Sequence, residues 1–189
     1  MARIAINGFG RIGRLFFRQV YGERGRTMFG GGELNIVAIN DLGDVENLAY
    51  LLKYDTVYGR YDKEVSVKNG KLVVDGKTIE FLQVQNPLEL PWKDMDVDVV
   101  IESTGFFDTY EKSKVHLDAG AKRVVITAPA KDGDGALGQT VLMGVNEENA
   151  KACMITSNGS CTTNSASPVM QVLSENPGIM KATLSTVHA

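Results

Sequence analysis

A doubly wound α/β domain, with helices on both faces of a parallel sheet, is the fold class this sequence predicts. Three observations carry the prediction. Short apolar runs at Arg3 to Asn7, Leu34 to Asn40, Val97 to Ile101 and Arg123 to Ile126 read as buried strands. Helical patterns separate them, as parallel pairing requires, because parallel neighbours need a crossover connection. A glycine-rich turn, Gly8-Phe9-Gly10-Arg11-Ile12-Gly13, links the first strand directly to the first helix.

After those glycines, Leu15, Phe16 and Val20 form the apolar face of a helix, and glycines at 22, 25 and 30–32 break it. Leu34 to Asn40 completes a βαβ unit and ends on Asp41. Asp44 is placed to cap a helix over Val45 to Leu52. Three strands follow: Glu64 to Lys68, Lys71 to Val74 and Lys77 to Leu82, joined by Asn69-Gly70 and Asp75-Gly76. Both dipeptides favour tight hairpins. A helix over Thr109 to Ala119 leads to the strand at Arg123, and Lys131 to Gly138 is a loop. Strands are expected at Thr140 to Met143 and Ala152 to Thr156, a last helix at Thr163 to Ser174, and a final strand at Lys181 to Val187.

The 189 residues suffice for one large domain or one domain and part of another. A net charge of −3 gives no support to nucleic-acid binding, which usually needs a basic face. No apolar run reaches the length of a bilayer span, and the first strand begins too early for a signal peptide. Cys153 and Cys161 make neither a disulfide framework nor a closely paired zinc site, so no metal is expected. A reducing, cytoplasmic setting fits best.

The glycine turn has the G-x-G-x-x-G pattern in the context that gives it meaning, after a strand and opening a helix. Its first glycine (Gly8) permits the turn, its second (Gly10) lets backbone approach a pyrophosphate, and its third (Gly13) allows close helix–strand packing. Asp41 adds a carboxylate able to accept from two ribose hydroxyls. It stands farther on than the usual ~20 residues, and Thr27 to Gly32 reads as the loop insertion responsible. A protein kinase shares the glycine pattern but needs V-A-I-K on the next strands. Val37-Ala38-Ile39-Asn40 puts asparagine in place of the lysine, and neither H-R-D nor D-F-G occurs.

Cys161 lies in Ser157-Asn158-Gly159-Ser160-Cys161-Thr162-Thr163-Asn164, at a junction of loop and helix. A helix N-terminus favours thiolate, the nucleophilic form. One helix and one returning strand later, His188 can come back beside it as a base. Cys153 sits among apolar residues and reads as a buried structural thiol, and His116 as a structural histidine. Asp98, Glu102, Glu147 and Glu148 read as strand-end and helix-surface charges without catalytic roles. A binding module that holds a dinucleotide without turnover, and more distantly a cysteine hydrolase, are the readings from other classes.

With these residues in hand, the chain resembles glyceraldehyde-3-phosphate dehydrogenases along essentially its whole length. The matching motifs include Asn7 to Gly13, Ile39-Asn40-Asp41-Leu42, Leu90-Pro91-Trp92, Glu102-Ser103-Thr104-Gly105, Ala128-Pro129-Ala130-Lys131, Met143-Gly144-Val145-Asn146, Ser157 to Asn164 and Thr186-Val187-His188. Erythrose-4-phosphate dehydrogenases have similar cysteine and glycine motifs, but Asn40-Asp41-Leu42 and Ala128 to Lys131 look more like the glyceraldehyde enzyme.

The resemblance implies a Rossmann-type fold, NAD as cofactor, and glyceraldehyde 3-phosphate and inorganic phosphate as substrates. It also implies a homotetramer for the full-length enzyme. It makes Cys161 the nucleophile and His188 its base. Asn7, Gly8 and Gly10 would bind the cofactor, the backbone amides of Arg11 and Ile12 would hold its pyrophosphate, and Asp41 the adenine ribose. Thr104, Gly105 and Thr127 would line the nicotinamide side, while Ser160 and Thr162 would help bind phosphate. Gln85-Asn86 stands where the family commonly has a basic residue, and Ser165 where many members have a second cysteine. By the same resemblance, residues 1–160 form the NAD-binding domain and 161–189 the beginning of a catalytic domain. The chain reads as an N-terminal portion of the enzyme, expected to be inactive alone.

Overall fold

Strand β1 (Ala2–Asn7) pairs in parallel with β2 (Leu34–Asn40) on one side and, much later in the chain, with the strand Val99–Glu102 on the other. In the computed structural model, which describes residues 1–22 and 34–187, this three-strand centre organises everything else. The 27–32 insertion and His188 lie outside the described residues.

Helix α1 (Arg11–Tyr21) follows β1, and α2 (Val45–Lys53) follows β2. The Asp44 side chain accepts from Asn47 N–H and caps α2 as expected. A short hairpin, β3 (Tyr54–Asp55) and β4 (Gly59–Arg60), was not anticipated. Strands β5 (Val65–Lys68), β6 (Lys71–Val74) and β7 (Lys77–Leu82) form an antiparallel meander whose last member joins β2 in parallel. Asn69 and Asp75 take φ values of 52° and 48°, the left-handed conformation of tight hairpin turns.

Strand β8 (Val99–Glu102) precedes two short helical pieces, α3 (Tyr110–Ser113) and α4 (Val115–Asp118), where one continuous helix was expected. At their junction Leu117 N–H bonds the carbonyl of Lys114, three residues back, which tightens the turn and breaks the run. Strands β9 (Arg123–Ile126), β10 (Gly138–Thr140) and β11 (Ile155–Ser157) complete a sheet of nine described strands in the order β10-β11-β9-β8-β1-β2-β7-β6-β5. Helix α5 (Cys161–Glu175) begins two residues earlier than expected because Ser160, accepting from Thr163 N–H, is its cap.

Side chains divide cleanly between the two faces. Ile4 and Ile6 belong to a core with Phe17, Val20, Leu48 and Leu52 of α1 and α2. Ala5, Val100 and Val124 point the other way, toward Trp92, Val97 and Tyr110. Ile36 and Ile39 nevertheless share the first core, although three residues apart on a strand. The register explains this: Ile4 pairs with Ile36 but Ala5 with Ala38, so Val37 is an extra residue that flips the alternation.

One expectation changes here. The segment from Lys181 to Val187 is not a strand; it is exposed and without regular structure. A strand needs ladder partners for its backbone groups, and none of the described strands pairs with it. Helix α5 likewise buries no residue, and leaves Val169, Val172 and Leu173 at 57%, 64% and 43% exposure.

Candidate functional site

The chain reverses its winding about β1: it proceeds outward through β2 on one side, then returns to place β8 on the other. In such sheets a crevice opens at the carboxyl ends of the strands flanking the reversal. A cavity of about 480 Å³ lies there, lined by Asn7, Gly8 and Gly10 after β1, Asn40 to Leu42 after β2, Val84, Gln85 and Pro87 after β7, and Ser103, Thr104, Phe106 and Phe107 after β8.

The three loop glycines have different reasons to be glycine. Gly8 has φ of +92°, and a Cβ there would lie 2.7 Å from the backbone of Ser103. At Gly13 a Cβ would meet the carbonyl oxygen of Gly8 at 2.2 Å. These two are demanded by the protein's own packing. Gly10 has an ordinary φ of −66°, and a Cβ there would meet no atom of the described residues within 4 Å. Nothing among the described residues requires a glycine at 10; the open space beside its backbone suits a ligand.

Helix α1 also begins without a side-chain cap, whereas α2, α3 and α5 are capped by Asp44, Thr109 and Ser160. Its first-turn N–H groups, including those of Arg11 and Ile12, therefore face the helix N-terminus without a side-chain acceptor, an arrangement that binds phosphate. The loop is held in place from within: Phe9 is fully buried, edge-on to Phe17 at 5.8 Å. Its N–H donates to Asp41 Oδ2 at 2.6 Å, while Asp41 Oδ1 accepts from Gly43 N–H at 2.8 Å. Asp41 is thus fixed at the cavity wall by two backbone donors.

This arrangement fits a dinucleotide, and the family follows. Residues 2–110 match the family model described as the NAD binding domain of glyceraldehyde 3-phosphate dehydrogenase. The chain belongs to the glyceraldehyde-3-phosphate dehydrogenase family. It is 49% identical to the Thermotoga maritima glyceraldehyde-3-phosphate dehydrogenase over 100% of this chain and 54% of that protein. The Streptomyces coelicolor protein of the same name is 47% identical over 99% and 53%. The protein from Trypanosoma brucei brucei, whose name adds "cytosolic", is 44% identical over 99% and 53%. The chain spans about half the length of these curated relatives. Its cofactor is NAD, and no helix among the described residues is long and apolar enough to cross a membrane.

The expected site residues fall into three groups. Asn7, Gly8, Gly10, Asp41 and Thr104 share the cavity. Arg11, Ile12, Gly105 and Thr127 lie outside its lining. Arg11 and Ile12 open α1, Gly105 follows Thr104 with φ of +78°, and Thr127 binds the Glu102 carbonyl through both N–H (3.0 Å) and Oγ1 (3.1 Å). Cys161, Ser160 and Thr162 form a separate cluster where β11 gives way to α5. Cys161 is exposed as the first helical residue, and Ser160 Oγ lies 2.8 Å from Thr162 Oγ1 and 2.7 Å from Thr163 Oγ1. Asn164 Nδ2 ties the loop by donating to the carbonyls of Asn158 and Ser160. Cys153 is buried at 3% exposure, as expected of a structural thiol.

Sequence reasoning missed Asn40, Val84, Phe106 and Phe107 as cavity residues. The signal for Asn40 was available: both β1 and β2 end on an asparagine, a polar residue at the close of an apolar run. Glu102 ends β8, as the strand-end reading has it, but it is only 2% exposed and hydrogen-bonds His116, Asn7 and Thr104, a burial the sequence did not reveal.

Proposed function

We propose that this chain supplies the cofactor-binding half and the nucleophile of an enzyme that oxidises glyceraldehyde 3-phosphate to an acyl phosphate with inorganic phosphate. The observation that carries the reading is the uncapped start of α1, opening beside a wall that ends in Asp41. In this reading the amides of Arg11 and Ile12 hold the pyrophosphate and Asp41 accepts from the adenosine ribose. Thr104, Gly105 and Thr127 serve the nicotinamide side. Bound NAD supplies a hydride acceptor. Cys161 attacks the aldehyde carbon to form a thiohemiacetal, and His188 takes the hydroxyl proton as the thioester forms. Ser160 and Thr162 help bind the phosphate that cleaves the thioester. Residues 1–160 are the NAD-binding domain and 161–189 the start of the catalytic domain. The full-length enzyme is a cytoplasmic homotetramer.

The exposed apolar side of α5 and the unpaired 181–187 segment support a division of labour in which the chain by itself binds NAD without turnover. The test joins this chain to the remaining half of the Thermotoga maritima relative and follows NADH formation with and without phosphate. Turnover that requires both phosphate and Cys161 is expected. Turnover that persists in Cys161→Ser would overturn the proposal.

A further inference from the structure

A line of buried polar side chains runs along the cavity: Trp92, His116, Glu102, Asn7 and Asn40, all at 5% exposure or less. Of these, Asn7 is an expected cofactor residue, and the others have no part in the cofactor contacts and thiol chemistry above. Its hydrogen-bond polarity is fixed from both ends. An indole N–H only donates, so the 3.2 Å bond from Trp92 Nε1 makes His116 Nδ1 an acceptor and leaves the ring proton on Nε2. That N–H points at Glu102 Oε2, 2.9 Å away. At the other end the backbone of Val84 orients the Asn40 amide, donating to Oδ1 at 2.9 Å and accepting from Nδ2 at 3.0 Å. Asn40 Nδ2 also donates to Asn7 Oδ1 at 2.8 Å, which turns Asn7 Nδ2 toward Glu102 Oε2 at 2.6 Å. The 3.4 Å approach of Asn7 Nδ2 to His116 Nε2 is then between two donors and is not a hydrogen bond.

Both halves of the line meet at Glu102. Its other oxygen, Oε1, accepts from Thr104 N at 2.8 Å and Thr104 Oγ1 at 2.5 Å. Thr104 Oγ1 in turn accepts from Phe106 N–H at 3.1 Å. A carboxylate offers about four lone-pair sites and only accepts. Here four donors fill them, and three come from two cavity residues, Asn7 and Thr104. The turn after β8 and the asparagine that ends β1 are therefore set against one another through a single side chain that does not itself line the cavity.

We propose that Glu102 and His116 are positioning residues of the cofactor cleft, acting through Asn7 and Thr104 on its nicotinamide half. This rests on the NAD reading given under the proposed function. Glutamine at 102 keeps the shape but presents an N–H to one pair of donors. Rotating Asn7 to relieve it breaks the bond to Asn40, so the mismatch passes along the line. Leucine at 116 fills space without donating or accepting. Glutamine there carries an acceptor and a donor on one planar group.

The test is calorimetric titration of the 189-residue chain with NAD and, separately, AMP, which carries the adenosine and one phosphate but no nicotinamide half, alongside thermal unfolding of each variant. Glu102→Gln is expected to raise the Kd for NAD about tenfold and that for AMP less than about threefold. His116→Leu should behave the same way, and His116→Gln should return NAD affinity to within about threefold of the parent. A generally loosened protein would lose both ligands together and would show no such rescue. Unchanged NAD binding in folded variants, equal loss of NAD and AMP, or His116→Gln no better than His116→Leu each overturns the proposal. If Glu102→Gln does not fold, the His116 pair decides. A parent chain that binds neither ligand refutes the NAD reading itself, an outcome distinct from all of these.

Discussion

Gly10 and Gly13 stand three residues apart in one loop, and replacing each by alanine should damage different properties. At 13, the added methyl would sit 2.2 Å from the Gly8 carbonyl oxygen and 3.1 Å from both Ile6 Cγ2 and Ser103 Oγ. The first neighbour is backbone, so relief requires moving the loop or the helix. Overpacking of this kind costs about 1–3 kcal/mol. For a chain of this size each kcal/mol lowers Tm by roughly 2–4 °C, which gives a drop of about 2–12 °C. At 10, φ of −66° is open to alanine and no atom of the described residues is within reach. Stability should hold or rise slightly, since alanine reduces the freedom of the unfolded chain by about 0.4–1 kcal/mol. The same methyl competes with a bound pyrophosphate, and a clash of about 1–3 kcal/mol weakens NAD about 5- to 150-fold. Circular-dichroism melts and calorimetric NAD titrations of the two variants make the comparison. If Gly10→Ala melts as low as Gly13→Ala, or binds NAD as the parent does, the assignment of Gly10 to the ligand is wrong.

NAD should bind more tightly than NADP, because Asp41 would face the 2′-phosphate at close range; equal affinities in parallel titrations would count against its ribose role. Limiting iodoacetamide should label exposed Cys161 ahead of buried Cys153, and peptide mapping that finds Cys153 modified first would contradict the assignment. Arg3 N–H, followed by Lys122, holds the Asp98 carboxyl below its ordinary value. A depressed carboxyl stabilises the fold above its unfolded pKa and loses that contribution as the pH falls through the folded one. Asp98→Asn should therefore lower Tm at neutral pH and converge with the parent in acid, and a constant offset at every pH would refute the coupling.

The local pattern of the sequence determined most of the sheet. β2, β6, β7 and β9 fall on the residues expected, because apolar runs bounded by glycine and asparagine turns leave little choice of strand or register. It also determined the glycine loop, Asp41 and the capped helix α2, since each depends on neighbours within a few positions. Although it gave Gly10 and Gly13 different reasons to be glycine, it did not show that the neighbour deciding Gly13 is the Gly8 carbonyl across the turn. Nor did it reveal Glu102, whose donors Asn7 and His116 lie 95 and 14 residues away. The strand expected at Lys181 to Val187 failed for the same reason: alternation favours a strand, but only ladder partners can form one. Distance along the chain hides what hydrogen-bond saturation and close packing decide in space.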